Sequence, residues 1–190
     1  MEEVRVFDLM RDEARLGPTI RKGLEAMCVS ICAKVPRPER DHLVMYEVGS
    51  YAGESAEIFA RYFSEVHCVD PWEEMEWYGI RNAEDVEAEF DRRTAALVNV
   101  HKHKATSLEW AAKVQAESID FVYVDAMHDK ESVLADLAAW APKVRKRGWI
   151  GGHDYLPQNV GWSQVMVAVD ELFGGRLPEV FPDSSWLRRL

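Results

Sequence analysis

The sequence predicts a doubly wound α/β sheet, mostly parallel and closed by an antiparallel strand at its C-terminal end. Three observations predict it. Short apolar runs recur as LVMYEV (43–48), VHCVD (66–70), IDFVYVD (119–125) and WIGGHDY (149–155). Segments long enough to hold a crossover helix separate them, and several carry helical apolar spacing. Polar residues then gather where the runs end: Glu47, Gly49 and Ser50 after the first, Asp70, Asp125, and His153 with Asp154. In such a sheet the strand C-terminal ends share one edge, and ligands bind there.

Taken in order, TIRKGLEAMCVSICAK (19–34) reads as a helix stopped by the prolines of PRP at 36–38. The strand 43–48 follows, then a helix whose buried face is Ala52, Ala56, Phe59, Ala60 and Phe63. The strand 66–70 ends at Pro71, and WEEMEWYGIRNAED has no clean period and reads as a loop. Residues 86–97 are helical in character, and VNVHKH (98–103) reads as a third strand with His101 and His103 on its surface. SLEWAAKV (107–114) is a short helix, and the β-branched and aromatic run 119–125 is the strongest strand in the chain. ESVLADLAAWAPKV (131–144) carries a helical face through Val133, Leu134, Leu137 and Ala138, with Arg145, Lys146 and Arg147 at its end, favourable to the helix dipole. The strand 149–155 precedes a helix over 160–174 stopped by Gly174 and Gly175. The tail EVFPDSSWLRRL reads as two short strands around a Pro-Asp-Ser-Ser turn.

With 190 residues the chain fits a single domain, in which 1–40 form a helical extension and 41–190 the α/β core. A net charge of -10 argues against a general nucleic-acid partner. No apolar run reaches the roughly 20 residues needed to cross a bilayer, so no membrane partner is expected. The N-terminus is acidic without an apolar stretch, which points to the cytoplasm. Cys28, Cys32 and Cys68 lack disulfide or zinc spacing and read as buried free thiols. Oligomeric state is open: the first helix can pack on a second copy of the chain or over the site.

The glycine turn YEVGSYAGES (46–55) decides which ligand to consider. A dinucleotide fingerprint spaces glycines as GxGxxG, so that the backbone approaches a pyrophosphate. Here the pattern is E-x-G-x-x-x-G, with Tyr51 at the place of the second glycine. Glu47 adds a carboxylate that disfavours phosphate and suits an ammonium group. S-adenosylmethionine offers a sulfonium and an amino acid end and no phosphate. Asp70, at the end of the next strand, can accept from both ribose hydroxyls.

With these residues in view, the chain resembles the class I S-adenosylmethionine-dependent methyltransferases, a Rossmann-like fold. EVGSYAGES looks like their first motif as it stands in catechol-type O-methyltransferases. CVDPW, SIDFVYVDAMHDKESVLADLAAWAPKVRKRGWIGGHDY and SSWLRRL look like the small-molecule branch known as the methyltransferase 24 group. The resemblance runs from about Leu43 to Leu190. It implies that Gly49 and Gly53 curve the backbone under the cofactor, with Glu47 and Ser50 near its amino acid end and Asp70 on the ribose. It also implies that Thr106 and Ser107 contact the adenine, although both equally suit the cap of the helix they begin. Asp125 is implied to lie close to the methionyl part and the reacting methyl.

Methyl transfer to oxygen needs the acceptor proton removed, and two solutions stay open. A divalent ion, magnesium or manganese, can be held by Asp125 and Asp154, which match two ligand positions of the catechol-type enzymes. Tyr155 departs from that pattern, where an asparagine stands. A set mixing aspartates with His128 or His153 suits a softer ion than Mg²⁺. Alternatively His153 is the general base, oriented by Asp154, with His128 as its rival. Trp72, Trp77, Tyr78 and Trp162 are candidate walls of a small-molecule acceptor pocket, and Glu73, Glu74 and Glu76 a solvated acidic face. The resulting reading is methylation of a small molecule at oxygen. The alternatives are another S-adenosylmethionine-binding enzyme, a catalytically silent binding protein on the same scaffold, and a nicotinamide-dependent oxidoreductase.

Overall fold

The computed structural model describes residues 18–74, 82–156 and 164–190. Period-two alternation organises its centre. In β4 (Ile119–Val124) Phe121 and Tyr123 face one side of the sheet and Val122 and Val124 the other. All six residues of β4 are buried, as expected of a strand covered on both faces.

Around it stand β1 (Val44–Val48), β2 (Glu65–Asp70), β3 (Val100–Lys104), β5 (Val144–Gly152), β6 (Glu179–Val180) and β7 (Trp186–Arg189). The seven-stranded sheet has the order β3-β2-β1-β4-β5-β7-β6. The first five strands of that order run parallel, and β7 lies antiparallel to both β5 and β6. Chain order reverses between β1 and β4, which opens a crevice at their C-terminal ends.

Helices cover both faces. On one lie α1 (Pro18–Ala33), α3 (Glu54–Phe59) and α4 (Ala83–Thr94), packing Leu24, Met27, Ile31, Ala56, Phe59 and Phe90 against Phe121 and Tyr123. The short α2 (Arg37–Arg40) links α1 to β1. On the other lie α5 (Ser107–Ala111), α6 (Lys130–Trp140) and α7 (Val165–Phe173), whose Ala111, Leu137, Trp140 and Ala168 meet Val122 and Ile150. Start and stop signals act as the residues suggest. Asp129 accepts from Ser132 N at 2.9 Å to cap α6, and Gly174 ends α7 in the left-handed region at φ 64.

Two expectations are corrected. The helix expected over 131–144 ends at Trp140, and a single 3₁₀ turn, Ala141–Lys143, leads into β5 at Val144. Arg145, Lys146 and Arg147 therefore sit in β5 and not at a helix end. The register between β4 and β5 jumps from Ile119↔Val144 to Phe121↔Trp149, so β5 bulges across this basic stretch. The bulge lets Arg145 pair with the buried Asp120, whose carboxylate also accepts from Val44 N at 2.9 Å. The second correction concerns His103, which is half-buried and stacks on Trp110 with ring centroids 4.0 Å apart. Its neighbours bury it: β2 brings His67 beside it and α5 brings Trp110 over it. His101 is exposed, as expected, and the three cysteines are free, with Cys28 and Cys68 buried. Among the described residues no helix is long and apolar enough to cross a membrane.

Candidate functional site

A cavity of about 470 Å³ opens at the C-terminal ends of β1, β2 and β4, a volume within the usual range for small-molecule sites. The turn after β1 forms one wall. Gly49 at φ 88 and Gly53 at φ 83 both adopt left-handed backbone, and each has a different reason to be glycine. A Cβ on Gly49 would lie 2.7 Å from the Asp125 carbonyl carbon and closer still to its oxygen, because the ends of β1 and β4 meet there. A Cβ on Gly53 would meet the Phe90 ring of α4 at 3.1 Å, so this glycine serves helix packing.

Asp70 fixes the opposite wall. Its Oδ2 accepts from Tyr51 N at 3.0 Å and its Oδ1 from Trp72 N at 2.8 Å, which ties the turn after β1 to the end of β2. A third backbone bond, from Ser50, leaves the carboxylate one acceptor position for a ligand hydroxyl. Burial raises the Asp70 pKa against these backbone bonds. Trp72, 4% exposed, donates its Nε1 to Tyr51 O at 2.8 Å and lines the cavity.

Of the residues expected around the cofactor, Gly49, Ser50, Asp70, Ser107 and Asp125 line this cavity together. Glu47 does not. Period two points it with Met45 toward α3, where it is fully buried and accepts from Ser55 Oγ and, at 3.4 Å, from Cys68 Sγ. Burial drives its pKa up to about 7 against hydrogen bonds from Ser55, Ser50 and Cys68. Gly53 stands behind the turn, and Thr106 is exposed in a capping box with Glu109. Ser107 accepts from Trp140 Nε1 at 2.9 Å, which holds it at the rim.

At the far end four side chains converge. His128 Nε2 lies 3.4 Å from Asp125 Oδ1 and 3.2 Å from Asp154 Oδ2. The other Asp154 oxygen, Oδ1, lies 3.2 Å from His153 Nδ1. Asp154 thus bridges the two histidines from a left-handed backbone at φ 59, which aspartate tolerates. Ligand atoms of Asp125, His128 and Asp154 lie within 4.8 Å of one another, a spacing that can hold a metal ion. His153 lines the cavity, yet its Nε2 is buried and meets no hydrogen-bond partner among the described residues. Burial alone would lower the His153 pKa, but the Asp154 hydrogen bond and the charges of Asp125, Asp154 and Asp183 push it up to about 9. Burial acts to raise Asp154, and its two histidine neighbours outweigh that and hold it below the usual carboxylate range. Tyr155 turns away, donating its hydroxyl to Asp170 Oδ1 on α7 at 2.7 Å.

The sequence reading missed the contribution of Tyr123 on β4; of the two placements left open for the first helix, the structure shows α1 over the cavity, lined by its Ile20 and Leu24. An apolar face on the first helix was the available signal. Trp77, Tyr78, Glu76 and Trp162 lie outside the described residues.

The comparisons with known proteins bear on this edge. A family model described as a methyltransferase domain, of the methyltransferase 24 group, matches residues 46–155, from the middle of β1 through the Asp154 turn. The chain belongs to this methyltransferase family. It is a class I enzyme dependent on S-adenosylmethionine. No curated protein matches the sequence significantly. Among solved structures, the methyltransferase fold is shared with the N-methyltransferase NodS from Bradyrhizobium japonicum in complex with S-adenosyl-L-homocysteine. There the TM-score is 0.62 at 13% identity, over 97% of this chain and 94% of that one. An O-methyltransferase from Bacillus cereus, also in complex with S-adenosylhomocysteine, gives 0.59 at 17% identity, over 90% and 79%. The YcgJ protein from Bacillus subtilis gives 0.50 at 17% identity over 69% of this chain, which spans only 49% of the length of that protein.

Proposed function

We propose that this methyltransferase transfers the methyl group of S-adenosylmethionine to an oxygen of a small molecule, with a divalent ion held by Asp125, His128 and Asp154. The observation that carries the reading is the convergence of those three ligand atoms at the cofactor edge.

The cofactor fits the residues present. Gly49 and Ser50 give a backbone turn with no room for a side chain at Gly49, Asp70 keeps an acceptor position beside its three backbone bonds, and Ser107 stands at the rim. The lining carboxylates Asp70 and Asp125 suit a ligand carrying a sulfonium and an ammonium. When bound, the cofactor supplies an electrophilic methyl group on sulfur. Glu47 acts beneath this surface: it holds Ser55 and Cys68 and so braces the turn.

The metal also fits. Two carboxylates and one imidazole favour manganese or a softer divalent ion over magnesium. A bound ion supplies Lewis acidity that lowers the pKa of an acceptor hydroxyl. His128 takes the place that position 155 lacks, since Tyr155 is engaged with Asp170. His153 positions Asp154 through its Nδ1, and its enclosed Nε2 favours this role over that of general base. Tyr123, Trp72, Ile20 and Leu24 give the acceptor an apolar wall that excludes water.

The test is S-adenosylhomocysteine formation over a panel of small hydroxylated acceptors, in EDTA and then with added Mn²⁺ or Mg²⁺. Turnover should vanish in EDTA, return with metal, and fall at least about 100-fold in Asp154→Asn. EDTA-insensitive turnover that depends on His153 would return the proton to a histidine base.

A further inference from the structure

We propose that Glu65, His67 and His101 form a second metal site, on the sheet edge and separate from the cofactor cavity, that takes zinc or a neighbouring first-row transition ion. The proposal does not rest on the catalytic reading above.

Parallel pairing builds the site. β2 and β3 place His67 directly opposite His101, and Glu65 projects from the same face of β2 two residues before His67. One ligand atom from each of the three lies within 4.8 Å of the others. His67 Nε2 already lies 3.3 Å from Glu65 Oε2, and the His67 and His101 rings face each other with centroids 4.8 Å apart. Ligands held about 2.0 Å from a tetrahedral ion sit about 3.3 Å apart. Glu65 and His101 are exposed and can rotate that far, while His67 is fixed.

Neighbouring rings fix His67. Its ring stacks on Tyr46 at 4.5 Å and 9°, and its Nδ1 lies 2.9 Å from His103 Nε2. Metal-ligating histidines commonly donate their remaining N–H to an acceptor, which sets tautomer and ring orientation. His103 offers that acceptor. With Nδ1–H donated to His103, the His67 Nε2 lone pair points toward Glu65. Two imidazoles and one carboxylate then leave a fourth position for water, a set suited to Zn²⁺ and poorly suited to Mg²⁺.

The two metal positions are far apart in the fold. His67 stands three residues before Asp70, which ends β2 at the cavity, so about 10 Å of strand separates the nearest ligand on β2 from the cofactor edge. Its effect is on the edge strand: an ion here ties β3 to β2 where, among the described residues, no further strand pairs with β3.

The experiment is equilibrium dialysis of the full chain against Zn²⁺, with excess Mg²⁺ present, in the Asp154→Asn background that disables the cavity cluster. One zinc per chain should remain bound. His101→Gln and Glu65→Gln in that background, both at exposed positions, should weaken it at least about tenfold with circular dichroism unchanged. His103→Phe should weaken it about 10- to 100-fold through the lost orienting bond. Zinc retained in the background variant should also raise its Tm, and His101→Gln should remove that rise. Equal zinc retention with and without His101, or loss of all zinc in Asp154→Asn alone, would overturn the proposal.

Discussion

Replacing Glu47 by glutamine should make the protein more stable at alkaline pH and not at acid pH. The carboxyl is fully buried under the glycine turn, and burial raises its pKa from 4.5 to about 7. Because the folded value lies above the unfolded one, the contribution of Glu47 is fully present below about pH 4.5 and is lost as pH rises through 7. That interval corresponds to about 3 kcal/mol lost by the wild type and not by the variant. For a chain of this size the loss is worth about 6–12 °C in Tm. Glutamine keeps the shape but offers one acceptor where Ser55 and Cys68 use two, so at pH 5 it should cost about 1 kcal/mol. The two curves of Tm against pH should therefore cross between pH 5 and 8. Thermal denaturation of the cofactor-free protein at four pH values suffices. Parallel curves would refute the buried, half-ionised carboxyl and the bracing role drawn from it.

Two further predictions concern the turn and the sheet edge. Gly49→Ala must force left-handed backbone on a residue with a Cβ and part β1 from the Asp125 carbonyl, so denaturant titration should report a loss of at least about 2 kcal/mol. His103, pushed down to about 4 by burial and then by His67, His101 and Lys113, contributes stability that is present above pH 6.5 and lost as pH falls through 4. After solvent screening of a partly exposed ring, His103→Phe should remove about 1–2 kcal/mol of that acid-side loss, and an unchanged slope between pH 6.5 and 4.5 would contradict it.

How far the sequence reveals this molecule depends on which interactions are local. The strands β1, β2 and β4, the helix stop at Gly174, and the turn before Trp186 are legible because alternation and turn residues act over a few positions. The family resemblance named the cofactor edge from one glycine turn and one strand-end aspartate. Non-local effects escaped. Nothing in WAPKVRKRG announces that β5 starts at Val144, since its first half is a bulge stabilised by Asp120 from β4. His103 looks like a surface residue in HKHK until the register sets it beside His67 and under Trp110. Glu47 illustrates an intermediate case. Strict alternation with Met45 already turns it away from the cavity, but the attraction of a carboxylate next to a glycine turn obscured that parity. The cluster of His128 with Asp125 and Asp154 was visible as three separate candidates, and only folding makes His128 their common neighbour.

The most direct test of the methyltransferase reading is calorimetric titration of the wild type and Asp70→Asn with S-adenosylhomocysteine. Asparagine keeps the size and replaces one acceptor oxygen by a donor, at a carboxylate that accepts from Tyr51 and Trp72 and faces the cavity. The account predicts binding to the wild type and an affinity at least about tenfold weaker in the variant, equivalent to about 1.4 kcal/mol. Absence of binding to the wild type, or equal affinity in both proteins, would contradict the placement of the cofactor at this edge.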